Sequence, residues 1–136
     1  MRKTIRDLLI ATPQLTAFIP TERWFQLGAV EDNPELPFAI LQWLSPVRSN
    51  SGADMSQLQV RIYDRRGSYK KIDAALGGPY LATPSVFTVL SGIMDLTGAD
   101  GYIAQADYLG HSGDDVDVDY KANLKFSSWQ IAGRSL

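Results

Sequence analysis

QLQVRIYDRRGSYKKIDAALGG, residues 57–78, decides the fold class. Leu58, Val60 and Ile62 alternate with Gln59, Arg61 and Tyr63, the two-residue period of a strand with one face against a core. Arg65-Arg66-Gly67 then turns the chain and Ser68 stands ready to cap a helix. Tyr69, Ile72, Ala75 and Leu76 follow at helical spacing until Gly77-Gly78 stops them. A strand passing through a basic turn into a helix requires a sheet and a helix packed together.

Upstream, Phe38 to Leu44 (FAILQWL) is almost continuously apolar, as in a strand buried on both faces, so it is expected at the centre of the sheet. RWFQLGAV, residues 23–30, suits another strand, and EDNPELP, with two prolines and three acids, reads as a connector. Ile5, Leu8, Leu9 and Thr12 form the apolar stripe of a short N-terminal helix. Thr12-Pro13 reads as a cap and first turn of a second helix, which Pro20 ends. Val47 to Met55 lacks periodicity and collects Ser, Asn and Gly, so an exposed loop is expected.

Downstream, Thr83-Pro84 repeats the cap-plus-proline signal, and Val86, Phe87, Leu90 and Ile93 favour a short helix. Tyr102 to Leu109 reads as a strand and GHSGDD as a loop. Val116, Val118, Tyr120, Ala122, Leu124 and Phe126 then predict one long strand face, opposite Asp115, Asp117 and Asp119. After Ser127-Ser128 the apolar phase shifts to Trp129 and Ile131, which predicts a β-bulge. The expectation is a single α+β domain over residues 1–136, a mostly antiparallel sheet of four to five strands with two or three helices packed on it.

Composition narrows the functional classes. The 136 residues are 45% hydrophobic and 21% charged, within the range of one globular domain. No cysteine is present, which excludes disulfides and Cys-ligated metals. Thirteen basic against 15 acidic residues give a net charge of −2, which argues against a dedicated nucleic-acid binder. No apolar run approaches the roughly 20 residues needed to span a bilayer, and the N-terminus does not resemble a signal peptide, so a cytoplasmic chain with no membrane partner is expected.

Chemistry-bearing patterns are sparse. His111, Ser112 and the nearby aspartates sit in one Gly-flanked loop, whereas a catalytic set needs separate segments to converge. G-x-S-x-G, H-E-x-x-H and phosphate-binding glycine loops are missing from the sequence, so no catalytic residue, cofactor or metal is expected. The run Asp114, Asp115, Asp117 and Asp119 lacks the turn-forming Gly and downstream Glu of a calcium loop. Asp115, Asp117 and Asp119 in a row would repel one another, which leaves edge protection and a functional acidic surface as alternatives. Arg61, Arg65 and Arg66 could pair with such a surface on a neighbouring copy. Arg48, Asn50, Glu31 and Asp32 lie in the polar segments suited to further inter-subunit contacts.

The order of parts resembles the tail-terminator (tail-completion) proteins of long-tailed bacteriophages. The resemblance rests on LL and TPQLTAFI near the N-terminus, LPFAILQW, the LQVRIYDRRGSYKKIDAAL unit and the late YKANLKFSSWQIAG, with YDRRGSYKKIDAAL the sharpest stretch. It implies a small α+β subunit forming a hexameric ring that caps the tail tube, stops its elongation and presents the head-docking face. Its partners would be further copies, the tail tube protein and neck proteins, in the virion tail after assembly in the host cytoplasm. DNA would pass without specific binding, and Asp115, Asp117 and Asp119 would face the channel. Adaptor or stopper rings, a tube-like subunit and a small hydrolase using His111 and Ser112 are the alternatives.

Overall fold

The computed structural model describes residues 1–44, 47–48, 54–79, 81 and 83–135, with the backbone alone at 47, 48 and 135. In chain order the elements are α1 (Arg2–Ile10), α2 (Pro13–Phe18), β1 (Trp24–Gln26), β2 (Phe38–Trp43), β3 (Val47–Arg48), β4 (Asp54–Arg65), α3 (Lys70–Leu76), α4 (Val86–Ser91), β5 (Met94–Gly98), β6 (Gly101–His111), β7 (Asp115–Asp117) and β8 (Ala122–Ser135). The sheet order is β1-β2-β4-β8-β6-β5, with β3 added to β4 and β7 to β8. Among the described residues, only β1 and β2 pair in parallel. The α+β class is as expected, with more strands and helices among the described residues than the sequence suggested.

The unit that decided the class forms as expected except at its cap, where Tyr69 stands in place of Ser68, whose hydroxyl accepts from Lys70 N at 3.1 Å. Leu58, Val60 and Ile62 are fully buried, and so are Ile72 and Leu76 of α3. Gly77 ends α3 at φ +70, where a β-carbon would also collide with the Ser85 hydroxyl at 2.0 Å. That close approach seats Ser85 as the cap of α4: its hydroxyl accepts from Thr88 N and the Thr88 hydroxyl accepts from Ser85 N. Thr83, expected as the cap, lies outside the helix because Ser85 is the residue whose oxygen reaches the free N–H groups. Thr12 likewise makes no capping bond; its hydroxyl donates back to Leu8 O at 3.2 Å.

Two hydrophobic clusters lie on opposite faces of the sheet. Leu58, Val60, Ile62, Trp129 and Ile131 join Ile5, Leu9, Ile72, Leu76 and Leu90 under the helices. Phe38, Ile40, Tyr63, Ala122 and Leu124 form the other cluster, packed beneath Phe25, Val30, Leu36 and Tyr120. Phe38 stacks on Tyr63 at 4.6 Å, and Tyr120 meets both rings edge-on at 5.1 and 5.3 Å. Phe38 to Leu41 is therefore buried on both faces, as its sequence requires. Its strand is not central, however: β2 lies second from the edge, with three-residue β1 outside it.

The C-terminal region departs most from expectation. Residues 118–121 are a turn, so the apolar alternation from Val116 to Phe126 folds back as the β7–β8 hairpin instead of running as one strand. Val118 is 77% exposed, and Leu124 and Tyr120 belong to the cluster opposite Val60. The shift of phase at Ser127-Ser128 is not a bulge, because β4 and β8 stay in register from Asp54↔Gly133 to Arg65↔Ala122. What changes is the covered face: connector and turn bury Leu124 on one side, and helices bury Trp129 and Ile131 on the other. The irregularities occur in β6, between Ile103 and Gln105 and between Tyr108 and Gly110. The strand expected over 23–30 shortens to Trp24–Gln26. Of the expected 47–55 loop, Val47–Arg48 and Asp54–Met55 pair as strand, and 49–53 lie outside the described residues.

One helix ties the two ends of the sheet path together. Arg6 Nε donates to Trp24 O at 2.9 Å and Gln26 Nε2 donates to Arg2 O, joining α1 to β1. At the other end Thr4 packs where a β-carbon on Gly98 would stand, joining α1 to β5. Asp100, in the β5–β6 turn, accepts from Lys3 N at 2.9 Å, Thr4 N at 3.0 Å and the Thr4 hydroxyl at 2.6 Å. It caps α1 from 96 residues away in sequence.

Candidate interaction surface

The chemistry-bearing residues gather at one end of the sheet. The turn after β4 is pinned to the β7–β8 hairpin by backbone-directed bonds: Asn123 Nδ2 donates to Gly67 O at 3.2 Å and the Tyr69 hydroxyl donates to Asp115 O at 2.7 Å. Within the hairpin Asp115↔Leu124, Val116↔Asn123 and Asp117↔Ala122 are partners. Asp117 Oδ1 accepts from Tyr120 N, which shapes the reversal, and Lys121 completes it at φ +52.

Since Arg65 also pairs with Ala122, Arg65, Ala122 and Asp117 stand abreast on three neighbouring strands. The cationic turn therefore sits beside the acidic hairpin, about 10 Å away across two strand spacings. Arg65, Arg66, Lys70, Asp115 and Asp119 are exposed. Among the described residues no ion pair joins the basic turn to Asp115, Asp117 or Asp119. Lys125 is the cation that is engaged here, contacting Asp73 at 2.6 Å and Asp114 at 3.1 Å. Its bond to Asp73 pushes the ammonium above its ordinary value, against the opposing effect of burial. The expected acidic row is thus divided: Asp115 and Asp117 are on β7, and Asp119 is in the turn.

The other candidate residues are dispersed. Arg61 is half-buried four residues back along β4 on the same sheet face as Arg65, donating to the Tyr63 hydroxyl at 3.1 Å and Gln59 Oε1 at 3.2 Å, with its guanidinium 5.3 Å from the Phe126 ring centre. Its bonds hold the sheet face together. Glu31 and Asp32 are exposed in the connector. The Arg48 side chain and Asn50 lie outside the described residues. The Ser112 hydroxyl accepts from Phe126 N at 2.9 Å, and Nδ1 of His111 hydrogen-bonds the Tyr108 hydroxyl. Partial burial pushes the His111 imidazole down while the Gly77 backbone pulls it up. Neither residue is arranged as base and nucleophile toward the other. No group of three or more His, Cys, Asp or Glu among the described residues could hold a metal ion.

Asp100, Lys125 and Tyr69 are the organising residues missed by sequence reasoning. Each acts on a partner more than 40 residues distant, and no local motif encodes that distance.

No family model and no curated protein matches the chain. A fold relative exists. It is a chain in a structure described as "Virion of native gene transfer agent (GTA) particle", matching with a TM-score of 0.68 and 12% identity over 98% of this chain and 93% of that one. The likeness extends over essentially the whole fold, helices and sheet together. Among the described residues, no helix is long and apolar enough to cross a membrane.

Proposed function

We propose that this chain is a structural protein of a phage-like virion, and within that class a ring-forming tail terminator that closes the tail tube and offers a docking surface to the neck. The observation that carries the proposal is the whole-length fold likeness to a chain of a gene transfer agent virion. The resemblance of YDRRGSYKKIDAAL and its flanking elements to tail terminators supports the finer role. The proposed role is architectural: copies of the chain associate head-to-tail into a hexamer, the tail tube and neck proteins bind its two rims, and DNA passes through without specific binding. Ser112 and His111 have structural partners in Phe126 N and the Tyr108 hydroxyl, which favours this role over hydrolysis. An acidic channel wall built from Asp115, Asp117 and Asp119 is no part of the proposal, because the basic turn beside them offsets their charge.

Electron microscopy of the purified protein, together with labelled virions, tests the role. Rings in the first sample and label at the head–tail junction in the second are expected. Label along the tube, or at the head alone, would replace the terminator with a tube or connector role; label absent from virions would remove the virion role.

A further inference from the structure

We infer that the end of the sheet formed by the 65–70 turn and the β7–β8 hairpin docks against the same end of a second copy of this chain about a two-fold axis. Three features of that end converge. Val118, in the turn of the hairpin, is 77% exposed, an aliphatic side chain that no part of the described chain covers. Asp115 and Asp117 share the sheet face of Arg65, whereas Val116 between them takes the other, so the carboxylates of Asp115, Asp117 and Asp119 and the cations Arg65, Arg66 and Lys70 lie side by side with no ion pair between the two groups. The tie from Tyr69 to Asp115 and that from Asn123 to Gly67 hold the groups side by side, keeping them from closing on each other.

Adjacent patches of opposite charge are self-complementary under a two-fold axis passing between them: each hairpin lies over the other copy's basic turn, and both contacts form together. Direct pairing of β7 with itself is disfavoured, because antiparallel register about Val116 would set Asp115 against Asp117 of the other copy. The hairpin consequently meets the turn. The contact is distinct in kind from the ring proposal, since a two-fold contact is isologous and ring contacts are head-to-tail; in a ring-forming protein it would join two rings end to end.

Molar mass by light scattering across protein concentrations, at low and high salt, tests the inference. Two charge-reversed chains are needed, Arg65→Glu/Arg66→Glu and Asp115→Lys/Asp117→Lys, each checked by circular dichroism for the native fold. All four sites have exposed or rim side chains, and Val118→Ser, also exposed, serves as a second, uncharged perturbation. The native chain is expected at twice the mass of either reversed chain and of Val118→Ser, whatever the size of any ring. High salt should halve the native mass as well. An equimolar mixture of the two reversed chains should regain the doubled mass, because lysine hairpins then face glutamate turns and native hairpins face native turns. Three results would overturn the inference: a native mass unchanged by the reversals, a mixture that stays at the halved mass, or a mixture that grows without stopping at doubling, which is the mark of a head-to-tail contact.

Discussion

Asp100→Ala should loosen the whole N-terminal helix, although the substitution lies in a turn on the far side of the sequence. The Asp100 carboxylate supplies the acceptors for the second and third N–H groups of α1, Lys3 N and Thr4 N, which have no partner within the helix. It also pairs with the Met1 ammonium at 2.9 Å. Loss of such a cap costs about 1 kcal/mol, and loss of a negative charge at a helix N-terminus about 0.5 kcal/mol more. The ammonium pair adds about 0.5 kcal/mol, discounted because the carboxylate is 35% exposed. The expected loss is about 2 kcal/mol, or a melting temperature about 7 °C lower for a domain of this size. Asn at 100 keeps a capping oxygen without the charge and should fall between parent and Ala.

The pH dependence gives an independent check. Burial opposes ionisation of Asp100, but the Thr4 hydroxyl, the ammonium and two backbone N–H groups outweigh it and hold the carboxyl well below its ordinary value of 3.8. A depressed carboxyl contributes stability above its unfolded value, and the contribution is lost as pH falls through the folded one. Thermal melts at successive pH values should therefore show a constant gap between parent and Asp100→Ala near neutrality, shrinking below about pH 4. Equal melting temperatures at pH 7, or a gap that persists undiminished in acid, would refute the capping role.

Leu124→Ala should cost about 2–5 kcal/mol by emptying space beneath Phe38, Tyr63 and Tyr120, and chemical denaturation should detect it; a loss under 1 kcal/mol would mean that the second cluster is not a packed core. Gly133→Ala should destabilise comparably or prevent folding, since its β-carbon would stand 2.2 Å from Tyr102 O and 2.9 Å from the Met1 sulfur; soluble protein with the parent melting temperature would contradict that packing. Lys125→Met should cost about 0.5–1 kcal/mol at neutral pH. Because the folded ammonium is held above its ordinary value of 10.5, the parent's advantage should disappear as pH rises through the folded value, and an advantage that grows in alkali would reverse the assignment.

The sequence by itself determined whatever depends on neighbours along the chain. Leu58, Val60 and Ile62, followed by a turn and by Ile72 and Leu76, specify a half-buried strand and an amphipathic helix through local periodicity, and that unit carries the α+β class. The two-sided burial of Phe38 to Leu41 was legible for the same reason. Tertiary structure alone decided which face each side chain serves. Val118 and Leu124 share one alternating pattern, yet the turn at 118–121 exposes the first and buries the second. Leu124 and Trp129 differ in phase because different layers cover the two sheet faces at the two ends of β8, a change that alternation alone cannot distinguish from a bulge. The candidate surface follows the same division. The basic turn and the acidic run were visible separately, but their adjacency depends on Arg65 and Asp117 both flanking Ala122. Asp100 lay beyond sequence reasoning altogether: a helix normally takes its cap from the side chain of the residue before it, and the Met1 side chain carries no oxygen, so a carboxylate brought by the β5–β6 turn supplies it.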